Sequence, residues 1–213
     1  MKNVLFKTSQ KQLFLGSLLL FALATFSQEK LKDTTKVNQL DEVLVSAIRV
    51  TSKTPVSFSN LSQKEIKTRN LGQDIPILMN YMPSVVTTSD AGNGVGYTGI
   101  RVRGSDATRV NITINGIPYN DSESHGTFWV NMPDFASSLQ SIQLQRGVGT
   151  STNGAGAFGA SLNMLTDSYS EKAYGEISNS FGSFNTKKHT VKFSTGLLND
   201  RFEIAGRLSK LES

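Results

Sequence analysis

The residues best suited to covalent chemistry gather between positions 119 and 134, YNDSESHGTFWVNMPD, where Ser122, His125 and Asp134 are the types a hydrolytic triad uses. A triad works because a histidine, oriented by a carboxylate, takes the proton of a well-placed serine. No G-x-S-x-G elbow accompanies Ser122, so nothing marks it as a nucleophile. A second candidate is Gly154-Ala-Gly156-Ala-Phe-Gly159, formally a GxGxxG phosphate loop. That fingerprint must open a helix and be followed by an acid about 20 residues on. Here a strand-like run follows, Glu176 is poorly placed, and no Gly-Lys-Ser/Thr is present for a Walker loop. His125 and His189 lie far apart, and without cysteine or HExxH there is no catalytic metal site and no cofactor to expect. The expectation is a protein that is not an enzyme. The charged groups that remain are Arg101, Arg103, Arg109 and Arg146, each on or beside a strand-like run and near glycine. Their planar forks suit bidentate carboxylate pairing. A set of exposed strand arginines is the alternative, and Arg103 by itself reads as one.

The elements that must hold these groups centre on residues 141–166. Ile142 and Leu144 alternate with Ser141, Gln143 and Gln145, and Leu162, Met164 and Thr166 alternate with Asn163 and Leu165, the period-2 pattern of strands. Gly147, Gly149, Gly154, Gly156 and Gly159 lie between them, so the loop is expected to be pressed against something. Upstream, 56–61 reads as a strand, and Ser62-Gln-Lys-Glu65 as a capping box opening a short helix. A second helix is expected over 74–81, stopped near Pro83, then a strand over 84–88 and a turn-rich loop over 90–96. Val110, Ile112 and Ile114 mark a half-buried strand ending in the turn signal Asn115-Gly116. Downstream, 171–181, 188–196 and 202–211 alternate over lengths that suit transmembrane barrel strands, joined by short connections at 182–186 and 197–200. A soluble antiparallel sheet would show much the same pattern.

The N-terminus reads as an address. Lys2, Lys7 and Lys11 precede the apolar run 13–24 and Thr25-Phe-Ser27, the layout of a secretory signal peptide cleaved after Ser27. The run is too short to span a membrane as a helix, which needs about 20 residues. Removing those three lysines lowers the formal net charge from +5 to +2, which gives no basis for a nucleic-acid partner. The absence of cysteine excludes both a lipoprotein anchor and a disulfide framework. Residues 28–40 are polar and aperiodic, a flexible leader. Asp41-Glu-Val-Leu-Val-Ser-Ala47 follows, a β-prone run able to add to a partner's sheet edge.

Arg146-Gly147, the glycine-rich run to Gly159 and Ser161-Leu-Asn-Met-Leu-Thr166 resemble the plug-domain signature of TonB-dependent outer-membrane receptors. Gly99-Ile-Arg-Val-Arg-Gly104 and the run from Arg109 to Tyr119 are similar to two further plug motifs. Asn115 stands where Asp is commoner, an exchange that keeps the turn. Residues 119–134 look most like the matching segment of receptors for ferric dicitrate and related iron chelates. The resemblance covers essentially the whole chain. It implies a signal peptide (1–27), a leader with a TonB box (28–47, box 41–47), an α+β plug domain (48–168) and the first antiparallel strands of a transmembrane β-barrel (169–213).

It implies that Asp41, Glu42, Val43, Leu44 and Val45 bind TonB, which draws on its inner-membrane energising complex. It implies that Arg101 or Arg103, and Arg146, pair with glutamates of the barrel wall, and that His125, Phe128 and Trp129 face substrate. The implied function is active uptake of a ferric chelate, cobalamin or another nutrient across the outer membrane. Three strands cannot close a barrel, and open edges are not tolerated in lipid, so the expectation is an N-terminal fragment of a longer receptor. The competing readings are a secreted enzyme and a secreted soluble β-rich binding or adhesion module.

Overall fold

The computed structural model describes residues 49–153 and 156–213. The alternating runs on either side of the glycine loop form β6 (Leu139–Arg146) and β7 (Ala160–Thr166), an antiparallel pair at the centre of a five-stranded sheet. β1 (Ser57–Ser62) lies antiparallel on the free side of β6. β4 (Val110–Ile114) runs parallel to β7, and β5 (Ile117–Pro118) closes the order β1-β6-β7-β4-β5. The β4–β5 turn is Asn115-Gly116 with both φ positive, +50° and +81°, as a two-residue hairpin of the primed type requires. Asn115 also closes the turn onto β7, donating to Thr166 Oγ1 and accepting from the Thr166 amide.

Alternation gives this sheet two unlike faces. Leu61, Ile142, Leu144, Leu162, Met164, Val110 and Ile112 form one face and are all buried. They pack under α1 (Gln63–Arg69) and α2 (Ile75–Leu78), whose Ile66, Ile75 and Leu78 join the same core. The predicted capping box is present, with Ser62 accepting from the Glu65 amide and Glu65 accepting from the Ser62 amide. α2 ends at Leu78, short of the expected 81, and continues as irregular turns before β2 (Val85–Ser89). β2 pairs with β3 (Thr98–Val102) as a separate hairpin.

The opposite face of the sheet carries Asn111, Thr113, Gln143, Gln145, Ser161 and Asn163, and all six are buried. β4 is therefore not half-buried as its pattern suggested. Over β6 the face is covered by backbone: Gln143 accepts from the Val50 amide at 2.9 Å and donates to the Val50 carbonyl at 3.0 Å, imitating a strand pairing. Arg49 adds bonds to Ser141 Oγ and the Asn163 carbonyl. Part of the glycine loop is tightly packed, as expected. A Cβ on Gly159 would lie 2.5 Å from Ser105 Cβ and 3.1 Å from the Arg109 carbonyl.

The last three strands, β8 (Tyr174–Phe181), β9 (Lys187–Ser194) and β10 (Ala205–Glu212), form an antiparallel sheet in the order β10-β9-β8. β8 and β10 start about three residues later than the alternation suggested. For β10 the reason is that residues 195–204 are folded into a turn held by Leu198–Phe202 and Thr195–Ile204 backbone bonds.

Candidate functional site

The three-stranded sheet lays one face on α1 and on the 3-10 turn Phe135–Ser138, and its middle carries polar residues inward and apolar residues outward, the reverse of a soluble sheet. Towards the protein point Glu176 and Ser178 of β8, Lys188, Thr190 and Lys192 of β9, and Arg207 and Ser209 of β10. Away from it point Ile177, Val191 and Leu208, directly opposite one another across the strands, with Phe193 beside them, and nearer the 181–187 connection Asn179, Phe181, Lys187, His189, Lys210 and Glu212. Ile177 is 74% exposed and Leu208 77%. A sheet that meets water on its free face keeps its apolar side inward. Apolar-out and polar-in is the arrangement of a strand whose outer face meets lipid.

The inner face is joined to the rest of the chain through Asp134. Its side chain is 2% exposed, and so is that of Lys188, whose Nζ donates to Asp134 Oδ1 at 2.7 Å. Asp134 also accepts from Ser137 Oγ at 2.6 Å, Thr190 Oγ1 at 3.1 Å, Ser209 Oγ and Arg207 Nη1 at 3.2 Å. Arg207 Nη1 donates in addition to the Asp134 carbonyl at 2.6 Å. Burial alone would push this carboxyl up. The hydrogen bonds from Lys188, Ser137 and Ser209, with the Lys188 charge, outweigh it and hold the group below its ordinary range. Asp134 sits at φ +51°, ψ 28°, a left-handed conformation that Asp tolerates better than most residues. Further along the same face Lys192 and Gln63 both bind Asp167, and Lys67 pairs with Glu176 at 2.6 Å in a largely exposed position.

This network was not foreseen. Asp134 was read as a possible triad acid, but its carboxylate is held by the groups just named, while Ser122 and His125 stand exposed on the preceding loop. The one available signal was the inward stripe Lys188, Thr190, Lys192, Ser194, where a soluble strand would have carried its apolar residues.

The arginines come together at another place. Arg146, at the end of β6, donates to Ser57 Oγ, to Ser59 Oγ at 2.7 Å and to the Phe58 carbonyl, and among the described residues it meets no carboxylate. Arg103, exposed and at φ +53°, lies close by, its Nη1 being 3.0 Å from where a Cβ on Gly147 would sit. Burial, and then the Arg103 charge, lower the Arg146 pKa. Arg101 is 4.0 Å from Asp106 in an exposed pair.

Of the expected substrate-facing groups, His125 is exposed at φ +57° on a loop pinned to β4 by Asn120, and Phe128 is half-exposed. Trp129 departs from the expectation. It is 3% exposed and belongs to the apolar core, so its ring does not face a substrate in this conformation. The expected TonB-box residues Asp41 to Val45, with the expected leader and signal segment, lie outside the described residues.

A sheet with one apolar and one covered polar face, followed by strands that carry an apolar band on the side away from it, fits a plug followed by the first strands of a barrel wall. The family model described as the TonB-dependent Receptor Plug Domain matches residues 50–161, and the chain belongs to that family. Solved structures share the fold. FpvA of Pseudomonas aeruginosa, solved as a pyoverdine–iron complex, matches with a TM-score of 0.61 at 17% identity over 75% of this chain and 20% of its own. The ferric yersiniabactin uptake receptor FyuA from Yersinia pestis matches at 0.54, with 20% identity over 76% of this chain and 25% of its own. The siderophore receptor PirA from Acinetobacter baumannii matches at 0.53, with 22% identity over 73% and 25%. The chain thus spans about a fifth to a quarter of the length of these structures. No curated protein matches it.

Proposed function

We propose that this chain is the plug and first barrel strands of an outer-membrane receptor that imports a ferric chelate under the control of TonB. The observation that carries the reading is the polarity of β8–β10. A secreted binding module would leave Ile177, Val191 and Leu208 in water, at a cost of about 25 cal/mol for each Å² of apolar surface left uncovered. A lipid-facing wall removes that cost. In this reading residues 1–27 direct export, 28–47 carry the TonB box, 48–168 form the plug and 169–213 begin the barrel. Asp41 to Val45 pair as an added strand with TonB, and pulling on them rearranges the plug.

The closeness of Arg103 and Arg146, without an acid among the described residues near them, supports carboxylates of the barrel wall as their partners. Arg101 is the weaker member of that set because Asp106 already faces it. His125 and Phe128 are the substrate-facing groups. The chelate class is supported by the siderophore receptors that share the fold. The test uses the absence of cysteine from this stretch. Nitroxide labels on single cysteines at Ile177 and Leu208 of the receptor in liposomes should be relaxed by oxygen and shielded from a water-soluble nickel chelate. Full access of the nickel chelate at both sites would favour the soluble module.

A further inference from the structure

Arg49 and Val50 lie just C-terminal to the proposed TonB box at 41–47. Side chains hold them on the buried polar face of the central sheet. The Val50 amide and carbonyl both meet the Gln143 side chain, at 2.9 and 3.0 Å, and Arg49 reaches Ser141 Oγ at 2.9 Å and the Asn163 carbonyl at 3.3 Å. Gln143 is the first of three side-chain amides joined in a row. Gln145 Nε2 donates at 3.1 Å to Gln143 Oε1, the atom that also accepts from Val50, and Asn153 Nδ2 donates at 3.0 Å to Gln145 Oε1. All three residues are buried. Asn153 belongs to the glycine loop 147–159 and is packed against its backbone, since a Cβ on Gly149 would lie 2.7 Å from Asn153 Nδ2. Backbone bonds from Gly147 to Gly159 and from Gly149 to Ala157 close that loop, so the last amide ties a closed loop to β6.

We infer that Arg49–Val50 is a detachable strap, and that Gln143, Gln145 and Asn153 are positioning residues that couple its detachment to the freeing of loop 147–159. This rests on the receptor reading above, in which force enters the plug at Asp41 to Val45. A side-chain amide carries its donor and acceptor on one rigid plane. A Gln143 that loses Val50 keeps Asn60 as the acceptor for its Nε2, but its Oε1 is no longer fixed for Gln145. Hydrogen bonds in such a row weaken together. With Gln145 shifted, Asn153 is left with Thr150 Oγ1, inside its own loop. Detachment uncovers polar groups, and water can replace the bonds that they lose. Ser161 Oγ and Asn163 Nδ2, buried on the same face with no hydrogen-bond partner among the described residues, gain one when water enters. The opposite, apolar face of the sheet offers no such compensation.

The first test reads amide exchange of residues 147–159 by mass spectrometry in the complete receptor in lipid nanodiscs. Val50→Pro removes the amide that binds Gln143 and should speed exchange there by about five- to tenfold, the factor for one net hydrogen bond. Gln145→Met keeps the length and loses the bonds; it should act similarly, and adding Val50→Pro to it should change nothing further. A loop that Val50→Pro leaves unchanged overturns the coupling, and so do effects that multiply when the two changes are combined, or an equal loss of protection in α1 and β2. The second test uses Ala157→Cys, a buried position of the loop, in an otherwise cysteine-free receptor in living cells supplied with a ferric chelate. A maleimide should label it in energised cells, not in the Val43→Pro background, and in both once Gln145→Met is present. Labelling that ignores Val43→Pro in the otherwise wild-type receptor overturns the strap, and labelling of Gln145→Met that still requires an intact Val43 overturns the coupling. Surface binding of the chelate shows that each variant is folded; where Gln145→Met does not bind, Asn153→Ala breaks the row at its far end, and loss of binding in both counts against the proposal. Normal chelate accumulation by Val43→Pro would instead sink the receptor reading, which the exchange measurement does not depend on.

Discussion

Asp134→Ala removes the anion around which Lys188, Arg207, Thr190 and Ser209 of the wall converge with Ser137 of the plug. The Lys188 ammonium, 2% exposed, is then left with Ser137 Oγ at 3.0 Å and a carbonyl at 3.4 Å. Taking one partner from a buried ion pair costs about 3–5 kcal/mol. Arg207 is partly exposed and rehydrates, so it adds little. Against a typical domain stability of about 5–15 kcal/mol the loss is large. With a urea slope of about 2 kcal/mol per M, the unfolding midpoint should fall by about 2 M. Trp129, the single tryptophan of the chain and buried in the core, is the fluorescence probe.

Asp134→Leu combined with Lys188→Met removes both charges at similar volume and should cost less than Asp134→Ala alone. The pH dependence follows from the lowered carboxyl. Unfolded Asp134 binds its proton at higher pH than the native group. The stabilisation is therefore complete above the unfolded value of about 3.9, and is lost as pH falls through the lower native value. Asp134→Ala should flatten that part of the stability curve. An alanine variant within about 0.5 kcal/mol of wild type, the range of ordinary surface substitutions, would refute the reasoning, as would a double variant less stable than the single one.

Gly159→Val should be destabilising by about 1–3 kcal/mol or more through overpacking against Ser105 and the Arg109 carbonyl, read as a lowered urea midpoint, and Ser105→Gly should recover part of the loss. Gln143→Leu removes both bonds that hold Val50 over the polar face, so amide exchange at Val50 should accelerate while β6 and β7 stay protected. The exported protein should begin at or near Gln28; N-terminal sequencing that finds Met1 intact would refute the signal-peptide reading.

What was legible in the sequence was local. The Ser62–Glu65 capping box, the Asn115-Gly116 turn and the strands around the glycine loop each depend on neighbours a few residues apart, and each is present in the fold. The Asp134 network depends on partners such as Thr190 and Arg207, 56 and 73 residues away, and an aspartate carries no local mark of such company. Burial of Asn111 and Thr113 escaped the reading for a related reason. Alternation tells which residues share a face, but not whether that face is covered, as Arg49 and Val50 cover it over β6 and β7. Trp129 was placed by the family resemblance of its segment, whereas its 3-10 turn folds it into the core. The arginine pair was legible as a set. Its carboxylates are not among the described residues, so its proposed partners rest on the family resemblance and on the closeness of two like charges.

The central claim is energised uptake through this plug, and Val43→Pro in the complete receptor tests it most directly. Proline removes one amide and restricts the preceding residue, so an added strand through Asp41 to Val45 cannot form, while the plug core is untouched. Surface binding and cellular accumulation of a labelled ferric chelate are measured in the same cells, with Val43→Ala alongside. The account predicts normal binding with accumulation abolished in Val43→Pro and only reduced in Val43→Ala, because the main chain carries most of the affinity in strand addition. Accumulation at the wild-type level in Val43→Pro would contradict it.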